Sequence, residues 1–156
     1  SMGRRESGAG DHSGAEDETK IYTDPAQAKQ FVEETGIDAL ACSFGTTHGI
    51  YLTEPKLDFN VVKNVRNLTG GTPVVMPGGS GVSCEDYHKA VKAGVRKINY
   101  FTYLDKSGGT AACSYAAKLA DGEPAFFSSF VAEATAAMKE NARGAMRMFA
   151  LEDQTE

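Results

Sequence analysis

The sequence predicts an α/β protein with three parallel strands and flanking helices. Short apolar runs of strand length alternate with helix-length segments, as in βαβ units. Glycine-rich polar loops follow the strands, and these are the positions at which α/β folds carry their chemistry. A complete (β/α)8 barrel takes about 250 residues, whereas this chain has 156. The pattern therefore predicts either a small open sheet or a part of a (β/α)8 barrel.

Composition narrows the class of protein. Hydrophobic residues make up 41% of the chain and charged residues 24%, which suits a packed globular core and excludes wholesale disorder. A net charge of −5 argues against nucleic acid and anionic membranes as partners. No apolar stretch approaches the roughly 20 residues of a membrane span. The three cysteines are odd in number and widely spaced, which predicts reduced thiols in a cytoplasmic protein.

The chain begins with a segment unlike the rest. Residues 1–20 are rich in glycine, serine and charge and contain almost no apolar side chains. Such a segment cannot bury enough surface to offset the entropy of ordering it, so we expect it to be a mobile loop or tail.

The first helix and strand follow residue 21. Asp24 and Pro25 mark a helix start, because a carboxylate caps free N–H groups and proline suits the first helical position. We predict a helix over 26–35, ended by the next glycine. The apolar run 37–44 then has the length of a strand.

Two more helix–strand pairs and two final helices complete the pattern. Asp58 is expected to cap the second helix, and residues 72–76 form the second strand. Ser83, with Asp86 three residues later, predicts the capped start of the third helix, which runs to residue 93. The third strand is expected at 95–101, followed by helices near 105–120 and 126–150. The apolar stripe of the second helix is expected to consist of Phe59, Val62, Val65 and Leu68.

Four loops or segments carry candidate functional residues. His48 follows the first strand, where an imidazole can bind a metal or transfer a proton; a solvated loop histidine is the alternative. The segment 77–82 (PGGSGV) offers backbone N–H groups and a helix start that suit a phosphate, and a plain strand-to-helix turn is the alternative. Asn99 and Thr102 can bind a polyol or phosphate oxygen, or simply follow strand alternation. Glu6 can act as a base on a closing loop, or be merely solvated.

The cysteines carry no predicted site. Cys42 lies within an apolar strand, so we expect it in the core. Cys84 and Cys113 are expected to share no metal-ligand spacing with each other or with a histidine.

Several stretches in this order resemble the class II, metal-dependent ketose-bisphosphate aldolases. They are YTDPAQAKQFVEETGIDALA, GTTHGIY, EPKLDF, GGSGV and VRKIN, and the resemblance covers nearly the whole chain. Members of this family are (β/α)8 barrels. The resemblance implies that the chain is the C-terminal portion of a TIM barrel, with strands six to eight. Residues 1–20 would then be a mobile active-site loop segment, 21–150 the barrel portion and 151–156 a polar tail.

The resemblance also implies a reaction. The family cleaves fructose- or tagatose-bisphosphate reversibly to dihydroxyacetone phosphate and an aldehyde, and zinc held by three histidines polarises the ketone. By position, His48 matches a zinc ligand and Glu6 matches the catalytic base. The positions that match substrate- and phosphate-binding residues are Gly49, Gly78, Gly79, Ser80, Asn99 and Thr102. A phosphorylated ketose as substrate and a homo-oligomeric, cytoplasmic, glycolytic parent enzyme are implied as well.

Three positions depart from the family pattern. Pro77 stands where the family has a zinc-binding histidine, Leu52 replaces a phosphate-binding lysine, and Phe101 replaces an aspartate that orders substrate hydroxyls. A catalytic zinc needs about three protein ligands, so the resemblance implies an incomplete zinc site in this chain. The alternative is a non-catalytic, aldolase-derived module that binds a phosphorylated sugar or a protein partner.

Overall fold

The structure is a computed structural model, and it describes residues 22–46, 48–50 and 55–151. The expected mobile segment 1–20 and nearly all of the expected tail 151–156 lie outside these residues. The chain divides into two compact units, residues 1–100 and residues 101–156. Each unit is described by itself.

The first unit is a three-stranded parallel sheet with helices between its strands. The strand order is β1-β2-β3, and both neighbouring pairs are parallel. The predicted alternation of helices and parallel strands is therefore confirmed. The elements in chain order are α1 (Pro25–Thr35), β1 (Leu40–Ala41), α2 (Phe59–Leu68), β2 (Val74–Met76), α3 (Cys84–Ala93) and β3 (Val95–Ile98).

Each of the three helices begins at the residue that the sequence predicts as its cap. Asp24 accepts a hydrogen bond from the Gln27 N–H at 2.8 Å, and Asp58 accepts one from the Asn60 N–H at 2.9 Å. The Ser83 hydroxyl oxygen accepts one from the Asp86 N–H at 3.1 Å. These bonds occupy N–H groups that have no partner inside the helix, which fixes where each helix starts.

The strands are shorter than predicted because strand pairing covers only part of each apolar run. The backbone ladder around β1 runs from the Leu40 N–H, which donates to Pro73, to the Cys42 N–H, which donates to Val75. At the far end of β3, the Asn99 N–H still donates to Met76 at 2.9 Å, but residues 99–101 make no further strand. The predicted strands 37–44, 72–76 and 95–101 are therefore shortened to the paired residues 40–41, 74–76 and 95–98.

A β-bulge interrupts the pairing of β2 and β3. Val74 pairs with Val95, but Val75 pairs with Lys97, so Arg96 is an extra residue on β3. The Arg96 guanidinium donates to the carbonyl oxygens of Val91 and Val95 at 2.9 and 2.8 Å. A bulge bends its strand and re-aims the residues beyond it, here Lys97 to Asn99.

The core of this unit lies between the sheet and its helices. The predicted stripe of α2 is partly wrong, because Val61 is buried and Leu68 is 47% exposed. Val61 is buried because α2 packs against both α1 and α3. Leu68 is exposed because it is the last residue of the helix. The largest fully buried side chains of the chain include Tyr87, Phe44, Met76, Val62, Val65, Val74, Val95 and Cys42.

The second unit is a pair of packed helices, α4 (Thr102–Ala116) and α5 (Phe127–Phe149). Relative to the predicted 105–120, α4 begins and ends earlier. Its end is a turn in which the Lys118 N–H donates to the Tyr115 carbonyl oxygen at 3.0 Å. The Tyr115 and Phe130 rings meet edge to face with their centres 5.0 Å apart.

Among the described residues, no helix combines the length and the apolar character that crossing a bilayer requires.

Candidate functional site

The parallel sheet brings three loops to one edge. In a parallel sheet the carboxyl ends of all strands lie on the same side, and ligands bind in the loops there. The loops after β1, β2 and β3 contain most of the predicted site residues, namely His48, Gly49, Gly78, Gly79, Ser80 and Asn99. Thr102 is the first residue of α4 in the second unit, and Glu6 lies outside the described residues.

Two of the predicted residues are joined directly. The Gly79 N–H donates to the Asn99 carbonyl oxygen at 2.9 Å, and the Asn99 N–H donates to Met76 at 2.9 Å. The end of β3 is therefore tied both to β2 and to the loop that follows β2. The structure brings Gly79 and Asn99 together, and their binding of a phosphate or a sugar stays a prediction.

Gly79 tolerates no side chain at this contact. A Cβ atom built on it would lie 2.6 Å from Ile98 Cγ2 and 3.0 Å from the Asn99 carbonyl oxygen. Its own carbonyl oxygen accepts a hydrogen bond from the Tyr87 hydroxyl. Because its N–H and its carbonyl are both engaged within the chain, Gly79 shapes the loop, and a ligand must be held by the groups around it.

The residues around Gly79 form a tight turn into α3. Gly78 and Gly81 have φ angles of 61° and 88°, a region that glycine occupies at little cost. Ser80 between them is 3% exposed. Ser83 then caps α3, so the turn leads straight into a helix N-terminus, where backbone N–H groups and the helix dipole favour an anion.

The charges of the first turn of α3 oppose that preference in part. Glu85 and Asp86 are both acidic, but Lys89 lies 2.8 Å from Glu85 and 3.3 Å from Asp86. The hydrogen bond from Lys89 lowers the pKa of the Glu85 carboxyl below its ordinary value. Glu85 and Lys89 are exposed and Asp86 is half-buried, so solvent screens much of their effect on the loop.

Lys97 brings a cation to the end of β3. Its Nζ donates to the Asn99 side-chain oxygen Oδ1, two residues further along the same strand end. This bond turns the Asn99 amide nitrogen, a donor, away from Lys97. An ammonium group and an amide N–H are both suited to a phosphate oxygen.

The loop after β1 carries His48. Its entry is fixed because Gly45 has a φ of 109° and a Cβ there would lie 2.0 Å from the Lys56 carbonyl oxygen. His48 is exposed, and Gly49 has a φ of 98°. The Thr46 hydroxyl is buried and has no hydrogen-bond partner among the described residues. The metal-binding role of His48 stays a prediction.

The described residues do not fit a metal ion on their own. Among residues 22–46, 48–50 and 55–151, no three His, Cys, Asp or Glu side chains are grouped as a metal site requires. Pro77, at the start of the loop after β2, offers no side-chain ligand. No step through a metal is derived from this geometry.

One expectation about the cysteines is wrong. Cys84 Sγ lies 3.6 Å from His88 Nε2, because residues four apart on a helix share one face. The four-residue spacing within α3 was the signal that could have revealed this pair. Two ligands fall short of the three or four of a typical zinc site.

The expectation for Cys42 is confirmed. It is fully buried, and burial raises the pKa of its thiol to about 12. A thiol that stays protonated is a poor nucleophile, so Cys42 belongs to the core.

Comparison with known proteins gives one family over nearly the whole chain. Residues 2–154 match the family described as class-II fructose-bisphosphate aldolase. Among solved structures, the YdjI aldolase from Escherichia coli K12 is similar with 38% identity and a TM-score of 0.72, over 86% of this chain and 48% of that one. A putative fructose-1,6-biphosphate aldolase from Coccidioides immitis is similar with 25% identity and a TM-score of 0.71, over 97% of this chain and 51% of that one.

A third structure shares the fold. The fructose-bisphosphate aldolase of Campylobacter jejuni has 21% identity and a TM-score of 0.69, over 86% of this chain and 47% of that one. The chain thus spans about half the length of the solved structures that it matches. Together with its three parallel strands, this confirms the predicted fold class, an α/β portion of a (β/α)8 barrel.

Proposed function

Because the chain belongs to the class-II fructose-bisphosphate aldolase family, we propose that it forms part of an aldehyde-lyase. The reaction is the reversible aldol cleavage of fructose- or tagatose-bisphosphate to dihydroxyacetone phosphate and an aldehyde. The observation that carries the proposal is the hydrogen bond between Gly79 and Asn99 at 2.9 Å. It holds the glycine-rich loop beside the end of β3, where a phosphate and its sugar can be bound together.

The proposed roles follow the geometry of the loops. The turn of Gly78, Gly79 and Ser80 binds a substrate phosphate, with Asn99 and Lys97 supplying further donors. Gly49 approaches the substrate through its backbone, which its positive φ permits. Thr102 binds substrate, and Glu6 is the base, a carboxylate that accepts a proton from the substrate and returns one in the reverse direction.

Class II aldolases are generally metal-dependent, and we propose zinc as the metal and His48 as one of its ligands. When bound, zinc would polarise the substrate ketone. His48 alone cannot hold it, so the remaining ligands must come from residues that the structure does not describe or from further chain. The same family membership supports a cytoplasmic, glycolytic and homo-oligomeric enzyme, and the net charge of −5 supports the absence of a nucleic-acid partner.

The test is aldol cleavage by the full-length protein with added zinc, using fructose- and tagatose-bisphosphate. Its matched variant is Pro77→His, which restores the family's histidine. Cleavage by the natural protein supports the enzyme. Activity in the variant alone would mean that the site is silenced mainly at the metal. Inactivity of both proteins would overturn the proposed reaction.

A second function is favoured by Pro77 itself. Replacement of a metal-binding histidine by proline, together with Leu52 and Phe101 at two other functional positions, suits a non-catalytic module that binds a phosphorylated sugar or a protein partner. The zinc content of the purified full-length protein separates the two proposals. Stoichiometric zinc favours the enzyme, and phosphate binding without zinc favours the module.

A further inference from the structure

We propose that Tyr87 is a positioning residue for the phosphate-binding loop, because its hydroxyl fixes the orientation of the peptide group between Gly79 and Ser80. This inference rests on the proposed function, since it takes the loop 77–82 to be the phosphate site. Tyr87 lies within α3, eight residues beyond Gly79. It touches the loop and acts through it.

The contact is built into the core of the first unit. Tyr87 is 1% exposed and is among the largest fully buried side chains. A buried tyrosine hydroxyl needs a hydrogen-bond partner, and this one donates to the Gly79 carbonyl oxygen. The ring fills the core while the hydroxyl reaches the loop, so one side chain links the packing of α3 to the shape of the turn.

The two peptide groups that meet at Gly79 are both held. The Gly79 N–H donates to Asn99, and the Gly79 carbonyl, which belongs to the next peptide group, accepts from Tyr87. Rotation about the backbone bonds of Gly79 would break one bond or the other. Gly78 and Gly81 lie on either side with positive φ angles, and glycines at such positions are the flexible points of a chain. The two hydrogen bonds therefore restrain a segment whose sequence would otherwise leave it loose.

A restrained loop binds more tightly than a loose one. Ordering a loop on binding costs free energy, and a loop that is already ordered avoids that cost. The backbone of the loop around Gly79 is then already ordered before the phosphate arrives. Phosphate affinity is expected to depend on the Tyr87 hydroxyl although the hydroxyl does not touch the ligand.

The test is calorimetric titration of the full chain with inorganic phosphate, comparing the wild type with Tyr87→Phe. Phenylalanine keeps the ring that fills the core and removes only the hydroxyl. The loss of one hydrogen bond of typical strength corresponds to about a fivefold change in an equilibrium constant, so we expect affinity to fall roughly three- to tenfold.

A matched control separates positioning from a general loss of stability. The Thr69 hydroxyl also donates to a backbone carbonyl, that of Val65, at 2.8 Å. Thr69 lies between α2 and β2, at the opposite edge of the sheet from the loop. Thr69→Val should lower stability as Tyr87→Phe does, yet keep phosphate affinity within about twofold of the wild type.

A second variant and a second readout make the assignment specific to the hydroxyl. Replacing Tyr87 with 3-fluorotyrosine keeps the donor, so phosphate affinity should remain within about twofold of the wild type. In the ligand-free protein, the carbonyl carbon resonance of Gly79 should shift in Tyr87→Phe and stay in place in Thr69→Val. A purely packing role for Tyr87 would move neither the affinity nor this resonance.

The outcomes distinguish the two proposals. A wild-type chain that binds no phosphate would overturn the proposed phosphate site and this inference with it. A wild-type chain that binds phosphate, with equal affinity in Tyr87→Phe, would overturn this inference alone. Equal losses in Tyr87→Phe and in the 3-fluorotyrosine variant would likewise overturn the role of the hydroxyl.

Discussion

Gly79 and Asn99 are joined by a backbone hydrogen bond of 2.9 Å between the Gly79 N–H and the Asn99 carbonyl oxygen. The bond crosses from the loop after β2 to the end of β3, so two segments that are twenty residues apart in sequence form one surface. The loop backbone lies so close to the end of β3 that no room is left for a Cβ atom on Gly79. The fold of the sheet edge and the shape of the candidate site therefore depend on the same contact.

Gly79→Ala is expected to lower the free energy of unfolding by about 1–3 kcal/mol, the usual cost of overpacking. The added Cβ would lie 2.6 Å from Ile98 Cγ2 and 3.0 Å from the backbone oxygen of Asn99, and the backbone cannot move aside easily. Chemical denaturation measures the loss. Gly144→Ala in α5 is the control, because its Cβ meets nothing within 4 Å. That variant should gain about 0.5–1 kcal/mol, and equal stability of the two variants would contradict the prediction.

Two adjacent glycines of α4 should respond in opposite directions. At Gly108, a Cβ would lie 2.9 Å from both Cγ and Sδ of Met138, whereas at Gly109 nothing lies within 4 Å. Met138 is flexible and can yield in part. We expect Gly108→Ala to be less stable than Gly109→Ala by about 1 kcal/mol, measured by thermal unfolding. The reverse order would show that α4 and α5 do not pack through Gly108.

The Cys42 thiol should make the chain less stable at high pH. Burial raises its pKa from 9.0 to about 12, so the unfolded chain loses this proton at a lower pH than the folded chain. The contribution is fully present below pH 9 and is lost as the pH rises toward 12, by about 1.4 kcal/mol per pH unit.

The measurement is the difference in unfolding free energy between the wild type and Cys42→Ala from pH 7 to pH 10.5. Alanine removes the titrating group, so the advantage of the wild type should be constant up to about pH 9 and then decline. The other alkaline groups are common to both proteins and cancel. A difference that stays flat across the whole range would contradict a buried, protonated thiol.

The parts of the fold that depend on neighbours in sequence could be predicted. Asp24, Asp58 and Ser83 each cap the helix that they precede, because capping joins residues two or three positions apart. The bulge at Arg96 could not be predicted, because it depends on how β3 meets β2. The exposed Leu68 and buried Val61 were missed because α2 packs against two helices rather than one.

The candidate site also combines features that the sequence predicts with features that it does not. The order of the glycine-rich turn, between a strand and a capped helix, predicts a phosphate site, and the structure shows that order. The role of Tyr87 cannot be predicted in this way, because no local pattern shows that its hydroxyl reaches back to Gly79. The contact between Cys84 and His88 could have been predicted from the sequence, since it follows from a four-residue spacing on one helix.

The most direct test of the central claim is a titration of the isotopically labelled chain with inorganic phosphate, followed by backbone amide resonances. Titration with chloride at equal ionic strength is the control. The account predicts that the largest phosphate-specific shifts lie at Gly78, Gly81 and the neighbouring amides up to the start of α3, and extend to Asn99. Phosphate shifts that match those of chloride, or that are confined to α4 around Lys106, would contradict a phosphate site in the loop 77–82.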